Sequence, residues 1–375
     1  MRVSLVDPSA FTPPYDRALA AALSRAGAEV ELLTSRFLHG PVPDAEGFEV
    51  REAFYRRTSR RGLDARARRL FKLAEHLPDM LRLRGLLAGA DVAHYQWLTV
   101  PGLDGALLPS IAGQPRVMTA HYVLPPAPSR RQISAARRAY GRMDAVIAHS
   151  RFGAGRLRDE VGLDPERVRV IPHGAFDYLT RLPDPAPLLP ELREAEGPAI
   201  LFFGLLRPYK GIETLLEAFA RIEGAELWIV GNPRMAVEPL RALARRAPGN
   251  VRFVTRFIDE SEIPALFRRA DLVALPYRDA EHSGVVYTAL AFGKAMVLSS
   301  VGGFPELAEE HGAARIVEPE DPGALALALQ ELTADPAARA ELASAARRAA
   351  EGPFSWDEAA SQTLQLYREL APAGR

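Results

Sequence analysis

The chain has 375 residues, of which 48% are hydrophobic, so it is long and apolar enough to bury the cores of two ordinary domains. Its 47 basic and 47 acidic residues cancel, and this balance does not indicate nucleic acid or an acidic polymer as a partner. The absence of cysteine excludes disulfides, thiolate metal ligands and a thiol nucleophile.

The N-terminal residues 1–7 (MRVSLVD) are typical of a first buried strand and lack the parts of a secretory signal peptide. No stretch of the sequence reaches the roughly 18 uninterrupted apolar residues that a membrane span requires. We therefore expect a cytoplasmic protein.

Short apolar runs alternate with longer amphipathic segments along the chain, a pattern typical of repeated βα units and parallel sheets. In the first half we predict strands at 2–7, 29–34, 91–95, 116–119, 145–149 and 168–171, with helices at 15–26, 65–87 and 152–161. In the second half we predict strands at 199–203, 226–230, 251–254, 272–275, 295–298 and 314–317, with helices at 212–221, 263–270 and 324–333.

Residues 182–190 contain four prolines, too many to continue a helix or a central strand, and we interpret them as an interdomain linker. The sequence thus predicts one domain over 1–181 and a second over 191–353, with a C-terminal helix within 354–375 that crosses back to the first. Ligands bind outside the carboxyl ends of parallel strands, so two sheets that face each other would line one cleft with their loops.

The densest chemical signal is residues 201–212 (LFFGLLRPYKGI), which predict a buried strand, a short loop and the start of a helix. Beside Gly204 the loop supplies two cations, Arg207 and Lys210, and the helix start supplies free N–H groups, so the segment suits a diphosphate. Lysine is scarce, with only three among the 47 basic residues, which favours a special role for Lys210. The alternative is a solvated loop with two surface cations.

A second signal follows the predicted strand at 272–275. Ser283 is suited to cap a helix, and Gly284 lets the backbone approach a ligand closely, which predicts another helix start that faces an anion. Glu281, just before it, can accept hydrogen bonds from sugar hydroxyls. A purely structural corner between a strand and a helix would look similar, and the glycine-rich turn at 301–303 is weak by itself.

In this order the segments resemble the retaining glycosyltransferase family 4, whose GT-B fold has two Rossmann-like α/β domains with parallel sheets facing across a cleft. The resemblance covers most of residues 199–310. It rests on the loop of Arg207 and Lys210, on residues 230–232 (VGN) and 270–276 (ADLVALP), on the Glu281 segment and on residues 301–303 (VGG).

The resemblance implies that Arg207 and Lys210 neutralise the diphosphate of a nucleotide-sugar donor, while Glu281 and the N–H groups near Gly284 and Val285 hold the transferred sugar. It also implies that the backbone around Phe257 frames the base. Transfer would retain the anomeric configuration, with the leaving phosphate helping to accept the proton of the acceptor. No aspartate cluster suited to a metal is evident in the sequence, so we expect no metal and no other cofactor.

Two positions depart from the family pattern. Leu205 stands where the family usually has its arginine, so Arg207 would act from a shifted position. Thr288 lies near the place of a second glutamate, which binds the donor ribose in the family. The sequence therefore leaves open the base, uracil or guanine, together with the donor sugar, the acceptor and the oligomeric state.

In the first half, His121 follows the predicted strand at 116–119 and matches the histidine that the family places at the cleft. It would contact the sugar or stabilise developing positive charge, and the alternative is a histidine that satisfies backbone groups at a strand end. Tyr15 and Asp16 end the loop at 8–16 and are candidates for contact with the acceptor or a phosphate. His94 and His173 are better explained by core or turn roles.

One segment is strongly basic and becomes helical. Its cations are Arg56, Arg57, Arg60, Arg61, Arg66, Arg68, Arg69 and Lys72, and its apolar side is formed by Leu70, Phe71, Leu73 and Leu77. Such a helix either rests on anionic lipid, which would suit a lipid-linked acceptor and a peripheral location at the inner face of the membrane, or is simply solvated.

Other functions compete with glycosyl transfer. A nicotinamide-dependent dehydrogenase is disfavoured because no G-x-G-x-x-G follows the first strand. A GT-B epimerase or phosphorylase shares the architecture, and a non-catalytic sugar-nucleotide-binding protein is compatible with Thr288 in place of glutamate. The expected partners are a nucleotide-diphosphate sugar and a glycan, lipid-linked or small-molecule acceptor, without nucleic acid.

Overall fold

The computed structural model describes residues 1–38, 40, 42–60, 65–125, 127–194, 197–247 and 249–371, without the side chains of residues 60–69 and 101. The chain divides into two compact units, the first formed by Met1–Gly174 with Trp356–Arg375 and the second by Ala175–Ser355. The second unit is thus inserted between the body of the first unit and its terminal helix.

Strands and helices alternate through the first unit. In chain order they are β1 (Arg2–Asp7), α1 (Pro13–Arg25), β2 (Glu29–Ser35), β3 (Glu49–Phe54), α2 (Ala65–Leu87), β4 (Val92–Tyr95), α3 (Pro101–Leu107), β5 (Arg116–Thr119), α4 (Arg130–Tyr140), β6 (Ala145–Ala148), α5 (Arg151–Asp159) and β7 (Val168–Val170).

The second unit continues the alternation, and the last helix returns the chain to the first unit. The elements are β8 (Ala199–Phe203), α6 (Ile212–Phe219), β9 (Glu226–Val230), α7 (Glu238–Ala244), β10 (Val251–Val254), α8 (Ile263–Arg269), β11 (Leu272–Leu275), α9 (Gly284–Ala291), β12 (Ala295–Ser299), α10 (Phe304–His311), β13 (Arg315–Val317), α11 (Pro322–Ala334), α12 (Pro336–Glu351) and α13 (Trp356–Leu370).

Each unit is built on one parallel sheet. The strand order is β3-β2-β1-β4-β5-β6-β7 in the first unit and β10-β9-β8-β11-β12-β13 in the second. The central strands are apolar and buried along their length, as in β8 and β11, because helices cover both faces of a parallel sheet. The predicted α/β class with two parallel sheets is confirmed.

Strand β3 is absent from the sequence prediction. It lies at the edge of the first sheet, where it pairs only with β2, and it exposes Glu49, Arg51 and Glu52 to solvent. An edge strand with charged side chains is protected against pairing with other chains, but it lacks the apolar run by which a buried strand is identified.

The boundary between the units lies earlier than the proline-rich segment at 182–190, which was predicted to be the linker. Leu189 and Leu192 are buried in the core of the second unit, and the Ala186 N–H donates to the Ser261 carbonyl at 2.8 Å. The prolines prevent regular structure there, as predicted, but their apolar neighbours anchor the segment to the second unit.

Helix α13 is held in the first unit by buried contacts. The Tyr367 hydroxyl lies 2.6 Å from His94 Nδ1, and His94 Nε2 lies 2.8 Å from the Thr119 hydroxyl. A Cβ placed on Gly174 would lie 2.3 Å from the Trp356 indole, so only glycine admits the ring at that position. Among the described helices, none combines the length and the apolar character needed to cross a membrane.

The bond between Tyr367 and His94 leads to a first prediction. In Tyr367→Phe the ring stays but buried His94 Nδ1 loses its partner, so we expect the free energy of unfolding to fall by about 1–3 kcal/mol. Urea denaturation followed by circular dichroism measures this.

Tyr95→Phe is the matched control, because the buried Tyr95 hydroxyl has no hydrogen-bond partner among the described residues. This control should be within about 0.5 kcal/mol of the wild type, or more stable, since removal of an unsatisfied buried hydroxyl costs nothing. Equal losses in the two variants would contradict the assignment.

Candidate functional site

In both sheets the strand order reverses beside the first strand, between β1 and β4 in the first unit and between β8 and β11 in the second. Loops that leave neighbouring strands in opposite directions open a crevice at the carboxyl ends of those strands. Lys210 follows β8 and Glu281 follows β11, so the two strongest sequence signals flank the reversal in the second unit.

Lys210 is the central residue of this crevice in the second unit. Its side chain is buried, with only 7% of the residue exposed, and Nζ donates to the Tyr277 hydroxyl at 2.8 Å. Burial lowers the pKa of the Lys210 ammonium from 10.5 to about 8, and the positive charge of Arg207 acts in the same direction. The site therefore holds a poorly solvated cation that an anionic ligand would stabilise.

The start of helix α9 lies beside this cation. The Ser283 hydroxyl accepts from the Val285 N–H at 3.3 Å, as predicted for an N-cap, and lies 3.3 Å from the Tyr277 hydroxyl. A Cβ on Gly204 would lie 3.3 Å from Lys210 Nζ and 3.4 Å from Val285 Cγ2. Three segments separated in sequence thus meet where a helix dipole and an ammonium favour the same anion.

Two left-handed glycines fix the backbone around the site. Gly211 has φ 64°, and a Cβ there would lie 1.9 Å from the Pro276 carbonyl, so glycine allows the start of α6 to pack against residues 276–278. Gly302 has φ 56°, with its Cβ position 1.8 Å from the Ala280 carbonyl. The adjacent Gly303 N–H donates to the Glu281 carbonyl at 3.0 Å. The glycine-rich turn, weak as a motif, therefore positions Glu281.

Glu281 and Arg207 differ in exposure. Glu281 is buried, whereas Arg207 is exposed in the loop before Pro208 and presents its guanidinium to solvent. Leu205, which replaces the arginine expected after the loop glycine, is also partly in solvent. Because it is exposed, Arg207 is accessible to a ligand from its shifted position.

Thr288 and Phe257, both inferred from the resemblance, have different surroundings. The buried Thr288 hydroxyl donates to the Gly284 carbonyl at 3.0 Å, so its hydrogen is used within α9. Phe257 is 55% exposed after the edge strand β10, and its carbonyl accepts from Arg256 at 2.9 Å. A bidentate contact with Glu262, at 2.7 and 2.8 Å, fixes the Arg256 guanidinium and with it the loop.

In the first unit, Tyr15 and His121 lie in one buried aromatic cluster. The Tyr15 ring packs edge-on against His121, with 4.5 Å between ring centroids, and also contacts His149, His173 and Trp356. His149 Nε2 lies 3.3 Å from His121 Nδ1, and Gln96 Oε1 lies 3.1 Å from His121 Nε2. The imidazole of His121 is therefore oriented from both sides.

His149 and Trp97 were missed by the sequence analysis. The Trp97 indole stacks on His121 at 5.1 Å with 13° between the planes, and His149 lies between His121 and His173. Each follows the carboxyl end of a strand, β4 or β6, and that position was the signal available in the sequence. His94 has the core role expected of it, and full burial lowers its pKa to about 3.

The loop after β1 is held by hydrogen bonds to a buried carboxylate. The Asp7 carboxylate accepts from the backbone N–H groups of Ser9, Phe11 and Thr12 at 3.2, 2.6 and 3.3 Å. Asp16 is buried, and burial, followed by the charge of Asp7, raises the pKa of its carboxyl group well above the usual range. Asp16 therefore supports the loop, and its side chain is not exposed to a ligand as the sequence had suggested.

The low pKa of Lys210 predicts a stability effect. The unfolded chain binds this proton more tightly, so the buried charge costs stability below about pH 8, and the cost fades as the pH rises towards 10.5. We expect Lys210→Met to be more stable than the wild type near neutral pH, by about 3 kcal/mol at most, and the gap to shrink in alkaline solution.

Denaturation of both proteins across this pH range measures the gap. Lys294→Met is the control, because Lys294 donates to the Arg268 and Ala270 carbonyls at 3.1 and 2.8 Å, and its loss should destabilise the fold. A Lys210→Met variant less stable than the wild type at neutral pH would show that the buried charge does not cost stability.

Comparison with known proteins links the site to a family. Residues 197–335 match the family described as glycosyl transferases group 1, and residues 17–175 match glycosyltransferase family 4. The D-inositol 3-phosphate glycosyltransferase of Xylanimonas cellulosilytica is 29% identical, over 95% of this chain and 90% of the relative. The alpha-maltose-1-phosphate synthase of Mycolicibacterium smegmatis is 30% identical, over 78% of this chain and 82% of the relative.

Solved structures share the fold. Sucrose-phosphate synthase from Thermosynechococcus elongatus matches with a TM-score of 0.71 and 22% identity, over 100% of both chains. The Anabaena protein HepE in complex with UDP matches with a TM-score of 0.71 and 20% identity, over 98% of this chain and 100% of that chain. These likenesses confirm the expected GT-B class. The chain therefore belongs to glycosyltransferase family 4 and is a glycosyltransferase.

Proposed function

We propose that the protein transfers a sugar from a nucleoside diphosphate sugar to an acceptor hydroxyl, with retention of the anomeric configuration and without a metal. The buried Lys210 ammonium beside the start of α9 carries this proposal. A cation held at a cost to stability, with a helix dipole next to it, is suited to an anion that arrives with the substrate.

The diphosphate of the donor would lie at this cation. Lys210 and the exposed Arg207 supply two positive charges, and the positive end of the α9 dipole acts with them, so the charge that develops on the leaving diphosphate meets preorganised partners. These groups do the work that a divalent cation does in other phosphate sites, which supports metal independence. The HepE structures with UDP and with UDP-glucose support a uridine nucleotide as the donor.

The sugar would be held at Glu281 and the N–H group of Gly284, since the Val285 N–H donates to the Ser283 hydroxyl. As the bond between the anomeric carbon and the phosphate oxygen breaks, positive charge develops on the sugar and negative charge on the diphosphate. The acceptor hydroxyl then attacks from the same face, its oxygen bonds to the anomeric carbon, and its proton passes to an oxygen of the leaving phosphate. This order of steps gives retention without a covalent enzyme intermediate.

The acceptor would bind at the carboxyl ends of the strands of the first unit. Besides the cluster around His121, this edge carries a chain of hydroxyls, with Ser9 and Thr99 2.8 Å apart and the Tyr55 hydroxyl 3.2 Å from Thr99. The Lys72 ammonium lies 4.5 Å from the centre of the Tyr55 ring. Hydroxyls and a cation suit a sugar or polyol with a negative charge, in line with the phosphorylated compounds in the names of the relatives.

Substitution of the lysine tests the donor site. In Lys210→Ala we expect kcat/KM with UDP-glucose to fall about 100- to 1,000-fold, because one charge that stabilises the leaving group is lost. Release of UDP is measured with inositol phosphate and with a lipid-linked sugar as trial acceptors, in buffer with and without EDTA. Lys294→Ala is the matched control, since its ammonium is bound to backbone carbonyls and not to the site.

The anomeric configuration of the product, read by NMR, tests retention. Sugar interconversion without an acceptor would indicate an epimerase, and release of sugar phosphate with inorganic phosphate alone would indicate a phosphorylase. Nucleotide binding without turnover would favour a non-catalytic binding protein. Equal activity in Lys210→Ala and in the wild type would remove the proposed donor site.

A further inference from the structure

Helix α2 carries an apolar stripe on its solvent side. Leu70, Leu73, Leu77 and Leu81 are 70%, 51%, 45% and 65% exposed, and at the helical repeat they fall within an arc of about 80°. Phe71 lies beside the stripe and is half exposed. A contiguous exposed patch of this kind marks an interaction surface and is not explained by the folded chain itself.

The side of α2 next to the stripe explains its position in the fold. Met80, Leu83 and Leu87 are buried in the core of the first unit, and at the helical repeat Met80 lies about 20° from Leu73. The apolar face of the helix is therefore wider than the part that the core covers. The stripe is left for a partner outside the described part of the chain.

The charges around the stripe are positive. Arg56, Arg57 and Arg84 are exposed, and Arg84 falls on the same arc as the leucines. The side chains of Arg60, Arg61, Arg66, Arg68 and Arg69, which the sequence singled out, lie outside the described residues.

The neighbouring carboxylates are hydrogen-bonded within the fold. The Glu75 carboxylate accepts from the N–H groups of Arg57 and Thr58, both at 3.1 Å, and from the Thr58 hydroxyl at 2.7 Å. Asp79 pairs with Arg82 and accepts from the Tyr55 N–H at 2.8 Å. Arg82 thus balances the charge of Asp79, whereas Glu75 keeps its charge and is outnumbered by the exposed Arg56, Arg57 and Arg84.

A cavity of about 610 Å³ opens beside the stripe. Arg56, Arg57 and Arg82 line it, together with the acidic residues Glu75 and Asp79 and with Phe71 and Pro78. Arg82 pairs with Asp79, so Arg56 and Arg57 are the cations that can bind a phosphate group next to this apolar surface. This pairing matches the order of groups in a phospholipid, with the phosphate above the acyl chains.

We propose that α2 docks the first unit on the surface of an anionic phospholipid bilayer. The leucine stripe enters the boundary between headgroups and acyl chains, and the arginines bind the lipid phosphates. A second copy of this chain is the poorer occupant, because two copies of α2 face to face would bring like charges together. The inference goes beyond the proposed function and does not depend on it.

Sedimentation with vesicles tests the proposal. We expect the wild type to bind vesicles made of an equal mixture of phosphatidylglycerol and phosphatidylcholine, and to dissociate from them as the salt concentration rises. It should not bind vesicles of pure phosphatidylcholine. In Leu81→Glu the partition coefficient should fall about tenfold or more, since a leucine leaves the lipid and a negative charge enters. The partition coefficient of Arg84→Glu, a substitution at a second exposed position, should also fall.

Leu327→Glu is the matched control, because Leu327 on α11 is 70% exposed and belongs to the second unit. It should bind vesicles as the wild type does, and all three variants should keep the thermal melt of the wild type. Absence of wild-type binding, equal binding to pure phosphatidylcholine, or equal loss in the control would overturn the proposal. A wild-type dimer that Leu81→Glu dissociates would assign the stripe to a second copy and would overturn it as well.

Discussion

Burial of one ammonium in the loop after β8 is the constraint around which the candidate site of the second unit is arranged. Lys210 loses most of its water, keeps a hydrogen bond to Tyr277, and lies beside the start of α9. Such a charge is held only because the surrounding backbone is fixed, here by glycines that let neighbouring loops touch. The stability lost at this point is the cost of the cation in the proposed donor site.

Much of this arrangement could be predicted from the sequence. Buried parallel strands produce apolar runs, so β8 to β12 were found within a residue, and a scarce lysine before a helix start indicated the anion site. The sequence could not predict that Lys210, Tyr277 and Ser283 lie together, because such contacts depend on the order of the strands in the sheet. Strand β3 was missed because an edge strand with charged side chains has no apolar run.

The first unit shows the same limits of prediction from the sequence. His121 was found because it follows a strand, but its partners His149 and Trp97 come from other strands, and one sequence carries no record of their contact. The domain boundary was placed at the prolines, whereas the structure divides the chain before Ala175. Proline marks where regular structure stops, and burial of Leu189 and Leu192 decides to which unit the segment belongs.

The position of α13 after the second unit in the sequence has a consequence for biosynthesis. Residues 1–174 leave the ribosome long before residues 356–375, yet both belong to the same unit, and the partners of His94 and Gly174 come from the late segment. The second unit, continuous in sequence, is able to fold as soon as it is synthesised. The nascent first unit instead keeps part of its apolar surface uncovered until α13 has been synthesised, so the unit that is begun first is completed after the second unit.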